Sequence, residues 1–318
     1  MKGGINEMLN VKNQIIIQCV CIVLLLIMPI LAGSDYIVHL LILCVWFGTL
    51  GATFDLSAGY TGLVNFGYAG FIGIGAYTSS LIAINFSISP YVGMLIGGVA
   101  SALIGLFLGF ITLRLHGFYF AIFTLFMSEA LRYAFANLVE LTRGYLGLMV
   151  PPLSGFDPTL RLYYYYILLG ISLIILFVSS MIVNSQVGLA FKAIREDEIK
   201  ASTMGVNVLI FKVLSVTLSC FFAGILGGFY AHYIGVLTPD VLASSLTVEI
   251  LTITYVGGRG SLWGPFVTAF ILIFFTEILR PLVIVRLIVY GLLLIIVILL
   301  YPKGLAPYLQ KLLKKYIH

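Results

Sequence analysis

Between Asp55 and Arg114 the chain runs for 58 residues without a single Asp, Glu, Lys or Arg. No water-soluble fold can solvate a stretch of that length. Two more such runs follow, from Arg161 to Lys192 and from Lys212 to Asp240. A helix needs about 20 apolar residues to cross the hydrocarbon of a bilayer, so the first run holds two spans. Ser87-Ile88-Ser89-Pro90 divides them and supplies an N-cap and a first-turn proline for the second. Over all 318 residues only 9% are charged, against roughly 25% in soluble domains. Backbone polar groups must be satisfied within lipid, which requires helices or a closed barrel. Barrel strands would show segments of about 10 residues with alternating polarity, and none occur.

The expected fold is therefore all-α, a polytopic transmembrane helical bundle making one permease-sized domain over residues 1–318. The apolar segments place spans at about 14–32, 37–55, 62–84, 91–113, 117–136, 163–183, 213–235, 247–258, 265–279 and 284–301, about ten in all. With both termini in the cytoplasm, twelve Lys and Arg fall inside and five fall outside or within spans, as the positive-inside bias requires. The same orientation puts an external loop at about 137–162 and a basic cytoplasmic tail at 302–318. Lys2 and Lys12 followed by the charge-free stretch Ile15–Ala32 imitate a secretory signal. The stretch exceeds the usual 7–15-residue apolar core, which favours an uncleaved first span. Cys19, Cys21, Cys44 and Cys220 all fall in apolar spans with no metal spacing and read as small core residues.

Polar chemistry is concentrated in one place. The segment Asn184–Lys212 carries seven of the 29 charged residues and lies on the cytoplasmic side. From Leu189 to Met204 it is built of good helix formers. Lys192–Glu196 and Glu196–Lys200 are spaced for i,i+4 pairs of about 0.3–0.5 kcal/mol each. Ala190, Ala193, Ile194, Ala201 and Met204 share one arc, interrupted by Asp197, and Gly205 offers a stop. A small-residue face of this kind suits insertion into a partner's groove. A solvated linker helix fits the composition equally well.

Glycines supply a second pattern. Gly93, Gly97, Ser101, Gly105 and Gly109 recur every four residues in the fourth span, which lets helix backbones approach closely. Gly224 and Gly228 repeat the spacing in the seventh. Glycine-broken stretches run from Gly59 to Gly70 and from Gly257 to Pro265. Interrupted apolar segments in opposite halves are the mark of a weak internal repeat around a path; ordinary interhelical turns would read the same way.

Catalytic and nucleotide-binding signatures are missing. There is no GxxxxGK[ST], HExxH or CxxC, and His39, His116, His232 and His318 are scattered. Few ionisable residues fall within spans. Glu129 can pair with Arg132, and Glu277 with Arg280, each one helical turn apart. Glu249 has no opposite charge one turn away, so it faces either a path or an outer vestibule. An ion-coupled carrier needs a relay of buried acids or histidines, and the sequence offers no clear one.

Four stretches, in order, resemble LivM-type permeases, the membrane subunits of ATP-binding cassette importers for branched-chain amino acids. They are Gly59–Tyr77, Tyr119–Leu125, Gly188–Asn207 and Glu249–Pro265. Two details depart from the pattern. Arg259 stands between Gly258 and Gly260 where a small or apolar residue is usual. Tyr68 stands where His is common, so no group there can titrate near neutral pH. The resemblance implies a coupling helix at about 188–207 that docks on a cytoplasmic ATPase through Gly188, Ala193, Arg195, Glu196, Asp197, Glu198, Ala201 and Gly205. A translocation path is expected at Asn65, Tyr68, Tyr77 and Glu249.

It further implies a second homologous permease subunit, two cytoplasmic ATP-binding subunits and an external substrate-binding protein. The setting is a prokaryotic inner membrane, with lipid as solvent and no nucleic acid partner. No cofactor is expected in this chain, since ATP and magnesium belong to the partner subunits, and no metal or catalytic site. Leucine, isoleucine and valine are the leading solutes, with urea and short amides as others that related permeases carry. The rival readings are a self-contained ion-coupled carrier and a membrane enzyme or scaffold that docks a signalling partner on the island.

Overall fold

The computed structural model describes residues 23–31, 33–112, 118–153 and 160–278, with a few positions between 288 and 299. The expected first and last spans, the tail 302–318, Cys19, Cys21, His116, Arg280 and His318 lie wholly or largely outside the described residues. The chain is helical as expected. The principal helices are α1 (Asp35–Ala58), α2 (Tyr68–Phe86), α3 (Pro90–Thr112), α4 (Phe118–Asn137), α5 (Arg161–Val183), α6 (Gln186–Glu196), α7 (Glu198–Thr203), α8 (Val208–Ile234), α9 (Ser244–Gly257) and α10 (Trp263–Ile278). Among the described residues α1, α2, α3, α5 and α8 are long and apolar enough to cross a membrane.

α1 is the central post. It packs against α5, α8, α9 and α10, and from Val38 onward nearly every residue is buried. Its polar side chains are spent on neighbouring helices, as an interior without water demands. The Trp46 indole N–H donates to the Leu226 carbonyl at 2.9 Å, Ser219 donates to the Thr53 carbonyl at 2.8 Å, and Thr254 donates to the Gly51 carbonyl at 3.1 Å.

α2, α3 and α8 form a three-helix wedge beside it. The glycine stripe of α3 faces this wedge. A Cβ on Gly97 would lie 2.5 Å from the Gly75 carbonyl oxygen, and one on Gly105 2.9 Å from Cys220. Ser101 donates to the Phe71 carbonyl at 2.8 Å. Gly93 meets Ser79, and Gly228 meets Met94. Gly109 is buried on the same face.

The bundle has two distinct ends. One carries the charged island. The other carries Asp35, whose carbonyl accepts from Arg161 at 2.8 Å, and Tyr36, which bonds to Glu277. At that second end a two-residue ribbon joins β1 (Leu148–Met149) to β2 (Val236–Leu237), antiparallel, with Leu148 opposite Leu237. It ties the described part of the expected external loop to the end of α8. His232 reinforces the tie, with Nδ1 against the Pro151 carbonyl at 2.7 Å and Nε2 against the Ser79 hydroxyl at 2.9 Å.

Three expectations need correction. The expected span 62–84 starts only at Tyr68. Residues 59–67 are non-helical, with Gly62 at φ 78°. The expected span 247–258 is the short helix α9, of 14 residues, and the expected span 265–279 falls on α10, described over Trp263–Ile278. At 1.5 Å per residue α9 reaches about 21 Å, short of the ~30 Å hydrocarbon. α9 and α10 pack on each other and on α1 and are joined by a turn in which Gly258 and Gly260 take φ of 107° and 81°.

The third correction concerns the island. One helix from Leu189 to Met204 is expected, and two are found. Asp197, at φ −163° and ψ 112°, ends α6 and caps α7 by accepting from the Ile199 and Lys200 backbone N–H groups. Aspartate prefers this local bond to helix continuation. The expected Lys192–Glu196 and Glu196–Lys200 pairs are absent from the ion pairs within 4.0 Å among the described residues; Lys200 pairs with Asp197 at 3.2 Å, and Lys212 with Glu198. Gly205, at φ 85°, does terminate the segment.

Candidate functional site

The two glycine-broken stretches meet each other beneath the island. Asp55, in the last turns of α1, is fully buried. Its Oδ2 accepts the Gly260 N–H at 2.7 Å and the Ser261 N–H at 3.0 Å, both from the α9–α10 turn. Gly59 is the residue that lets this happen. A Cβ there would lie 1.8 Å from Asp55 Oδ1 and 2.6 Å from the Gly260 nitrogen. The turn itself is pinched shut, since a Cβ on Gly257 would lie 2.5 Å from the Gly264 carbonyl carbon.

Arg195, from α6, caps this junction. Its Nη1 stands 2.8 Å from where a Gly260 Cβ would be, and its Cγ 4.0 Å from where a Gly62 Cβ would be. Arg195 and Arg259 are the cationic groups in electrostatic reach of the carboxylate. The Arg259 guanidinium lies 4.9 Å from the Tyr255 ring centre. A buried carboxylate of this kind is expensive unless its charge is answered.

The island is seated on its own permease by part of the face expected to meet a partner, together with Phe191. Gly188, Ala190, Phe191 and Ile194 are buried, and Ala201 is only 4% exposed. Ala193 and Asp197 are half-buried, and Arg195, Glu196, Glu198 and Gly205 are exposed. The outward apolar residues are Leu189, Ile199 and Met204, the last two at 76% and 85%. The Lys200 backbone N–H and ammonium, and then the Ile199 N–H, hold the Asp197 carboxyl below the usual carboxylate range.

At the opposite end lies a cavity of about 350 Å³. Trp46 and Tyr230 stack along it with ring centres 4.5 Å apart, and Glu249, Asp240, Phe47, Thr238 and Ser245 complete the polar and aromatic lining. Aromatic faces beside two carboxylates can receive an ammonium group.

Of the four expected path residues, this cavity includes Glu249 and not the other three. Asn65 is buried, and its Oδ1 accepts the Gly67 N–H at 2.9 Å at the entry to α2. Tyr68 is wholly buried, sharing a 2.8 Å hydrogen bond with Thr53 and donating to the Ser219 carbonyl at 3.4 Å. Tyr77 packs on Phe135 with ring centres 4.7 Å apart.

Glu129 and Arg132 form the expected pair at 2.9 Å. Glu129 also accepts the Ser244 N–H at 3.1 Å, and Arg132 reaches Asp240 at 3.8 Å, so the pair ties α4 to the start of α9. Sequence reasoning passed over Asp55, Trp46 and Tyr230. An acid inside an otherwise apolar span was the available signal for Asp55. The aromatic pair converges only in three dimensions and left none.

The chain matches the family model of the branched-chain amino acid transport system / permease component over residues 36–298. It is 29% identical over 291 residues to the high-affinity branched-chain amino acid transport system permease protein LivM of Salmonella typhimurium, an alignment that takes in 83% of this chain and 68% of the relative. LivM of Escherichia coli matches at the same identity and coverage. No solved structure gives a significant match.

Proposed function

The chain belongs to the permease component family of branched-chain amino acid transport systems, and from that premise we propose that it is one of two permeases in an ATP-driven importer. ATPase subunits bound on the cytoplasmic side grip the island, and the solute passes between this chain and its companion permease. A soluble protein outside the membrane delivers a branched-chain or related amino acid. The inner membrane of a prokaryote is the setting.

One observation carries the reading. The island is a capped two-helix unit with Gly188, Ala190 and Ala201 turned inward onto the spans and bulky Ile199 and Met204 turned out. Exposed apolar groups on a polar helix mark a surface meant for a partner. A pull on that surface reaches the spans through Ala201, Phe191 and the Glu198–Lys212 ion pair, a rigid-body switch between discrete packings.

We place the outer mouth of the path at the cavity of Trp46, Tyr230 and Glu249. Asn65, Tyr68 and Tyr77 are proposed to shape it by holding α2 rather than by touching solute in this conformation.

The test is co-purification followed by uptake. The chain should be recovered with a second permease and two ATPases. Ile199→Asp combined with Met204→Asp should lower ATPase retention at least tenfold while the two permeases stay paired. Full retention would defeat the docking role. Glu249→Gln should raise KM for amino acid uptake, and unchanged kinetics would remove it from the path. Accumulation of solute by the isolated chain along an ion gradient would overturn the whole reading in favour of a secondary carrier.

A further inference from the structure

We infer that Asp55 is a positioning residue for transport: it ties the α9–α10 turn to the end of α1 and receives the Arg195 guanidinium when the island is displaced. The inference rests on the reading of the island as the ATPase contact.

The geometry is one-sided. Oδ2 holds both turn N–H groups, while Oδ1 is buried with no hydrogen-bond partner. A buried carboxyl oxygen without a partner is costly to keep. A nearby guanidinium that can answer it defines a second arrangement of lower electrostatic cost at that atom. Arg195 is the candidate because it sits on the moving part. It lies against Gly260 and Gly62, one glycine from each broken stretch, and among the described residues it forms no ion pair with Asp55 within 4.0 Å. Its side chain is long enough to slide over residues that have no Cβ to block it. Arg259 also faces the carboxylate but belongs to the turn itself and stacks on Tyr255. It would travel with the turn instead of pulling on it.

A buried carboxyl, the turn anchored to it and the Arg195 cation thus stand next to one another beneath the island. Movement of α6 by a few ångströms would exchange the Arg195–Gly260 contact for an Arg195–Asp55 pair. The N–H groups on Oδ2 would shift with it, tilting α9 and α10 against α1.

The experiment uses the complete importer in vesicles, with both permeases, both ATPases and the loaded binding protein. Uptake and ATP hydrolysis are read on the same preparation, and subunit ratios are measured for assembly. Asp55→Asn keeps the shape and one acceptor oxygen for the turn but loses the charge. The expected result is normal assembly with at least a tenfold fall in solute moved per ATP. Arg195→Gln should give a similar fall and Arg195→Lys should recover part of it. The double variant Asp55→Asn, Arg195→Gln should be no worse than the poorer single one.

A parental ratio in Asp55→Asn, or a double variant whose loss is the product of the two single losses, overturns the proposal. Should Asp55→Asn fail to assemble, the Arg195 pair decides, because its side chain is exposed. A parental ratio in Arg195→Gln, or no recovery in Arg195→Lys, also overturns it. Failure of the parental chain to bind ATPases would be a different result, defeating the functional reading itself.

Discussion

Gly75→Ala is the sharpest test of how the wedge holds together. An alanine Cβ at this position would lie 2.2 Å from the Gly224 carbonyl oxygen and 2.3 Å from the Gly224 Cα. Ordinary contact begins near 3.4 Å, so α2 and α8 would have to part by about 1.2 Å. Neither obstacle is a side chain that can rotate away.

Separation would not stay local. Gly97 lies so close to the Gly75 carbonyl, and Gly224 to Ser101, that a Cβ on either would come within 2.5 Å, so all three helix contacts loosen together. Overpacking of this kind costs about 1–3 kcal/mol, and contact with rigid backbone puts it at the upper end. Better helix propensity returns about 0.8–1 kcal/mol. A net loss of about 2 kcal/mol follows.

Gly170 on α5 is the control, because a Cβ there meets nothing within 4 Å. Gly170→Ala keeps the propensity gain and should be neutral or slightly stabilising. Reversible unfolding in mixed micelles, followed by Trp46 and Trp263 fluorescence, measures both variants. If Gly75→Ala proves as stable as Gly170→Ala, the close-approach argument for the glycine pattern is wrong.

Other outcomes can be checked in the same system. His232→Leu should leave the Pro151 carbonyl and the Ser79 hydroxyl buried without the imidazole, at about 1–3 kcal/mol for each group, and the ribbon-end segment should gain hydrogen exchange. Glu129→Gln should cost no more than about 1 kcal/mol by unfolding, since its pair with Arg132 is partly exposed. The Asp197 carboxyl is held low by the Lys200 and Ile199 donors. A depressed folded value means that its capping contribution is complete above about pH 4 and is lost only as pH falls through the folded value. Uptake between pH 5 and 8 should therefore have the same profile in Asp197→Asn as in the parent, and a new inflection in that window would show that the cap titrates there.

How much of this was legible beforehand depended on the range of the forces involved. Charge-free runs announce helices because the bilayer is a uniform solvent and each residue meets it independently. Gly205 and Pro90 were readable as punctuation for the same reason, since their effect is confined to their own backbone. The break at Asp197 was half legible. Its place on the arc was noticed, but the competition between helix continuation and a side-chain cap is decided by a small local balance. The site was the least legible part. Asp55 marked the edge of a charge-free run, and only the return of the chain 205 residues later, bringing Gly260 and Ser261 to Oδ2, turned it into a junction.

By itself the sequence determined that this protein lives in a membrane as packed helices and presents one charged island to one side. Those properties follow from solvation and local backbone preference, which each segment expresses alone. Tertiary structure decided which way the island faces, which glycines touch, and that both broken stretches converge on one buried carboxylate. Such contacts depend on pairs of residues far apart in the chain, and only packing density and the need to satisfy every buried polar group select among them.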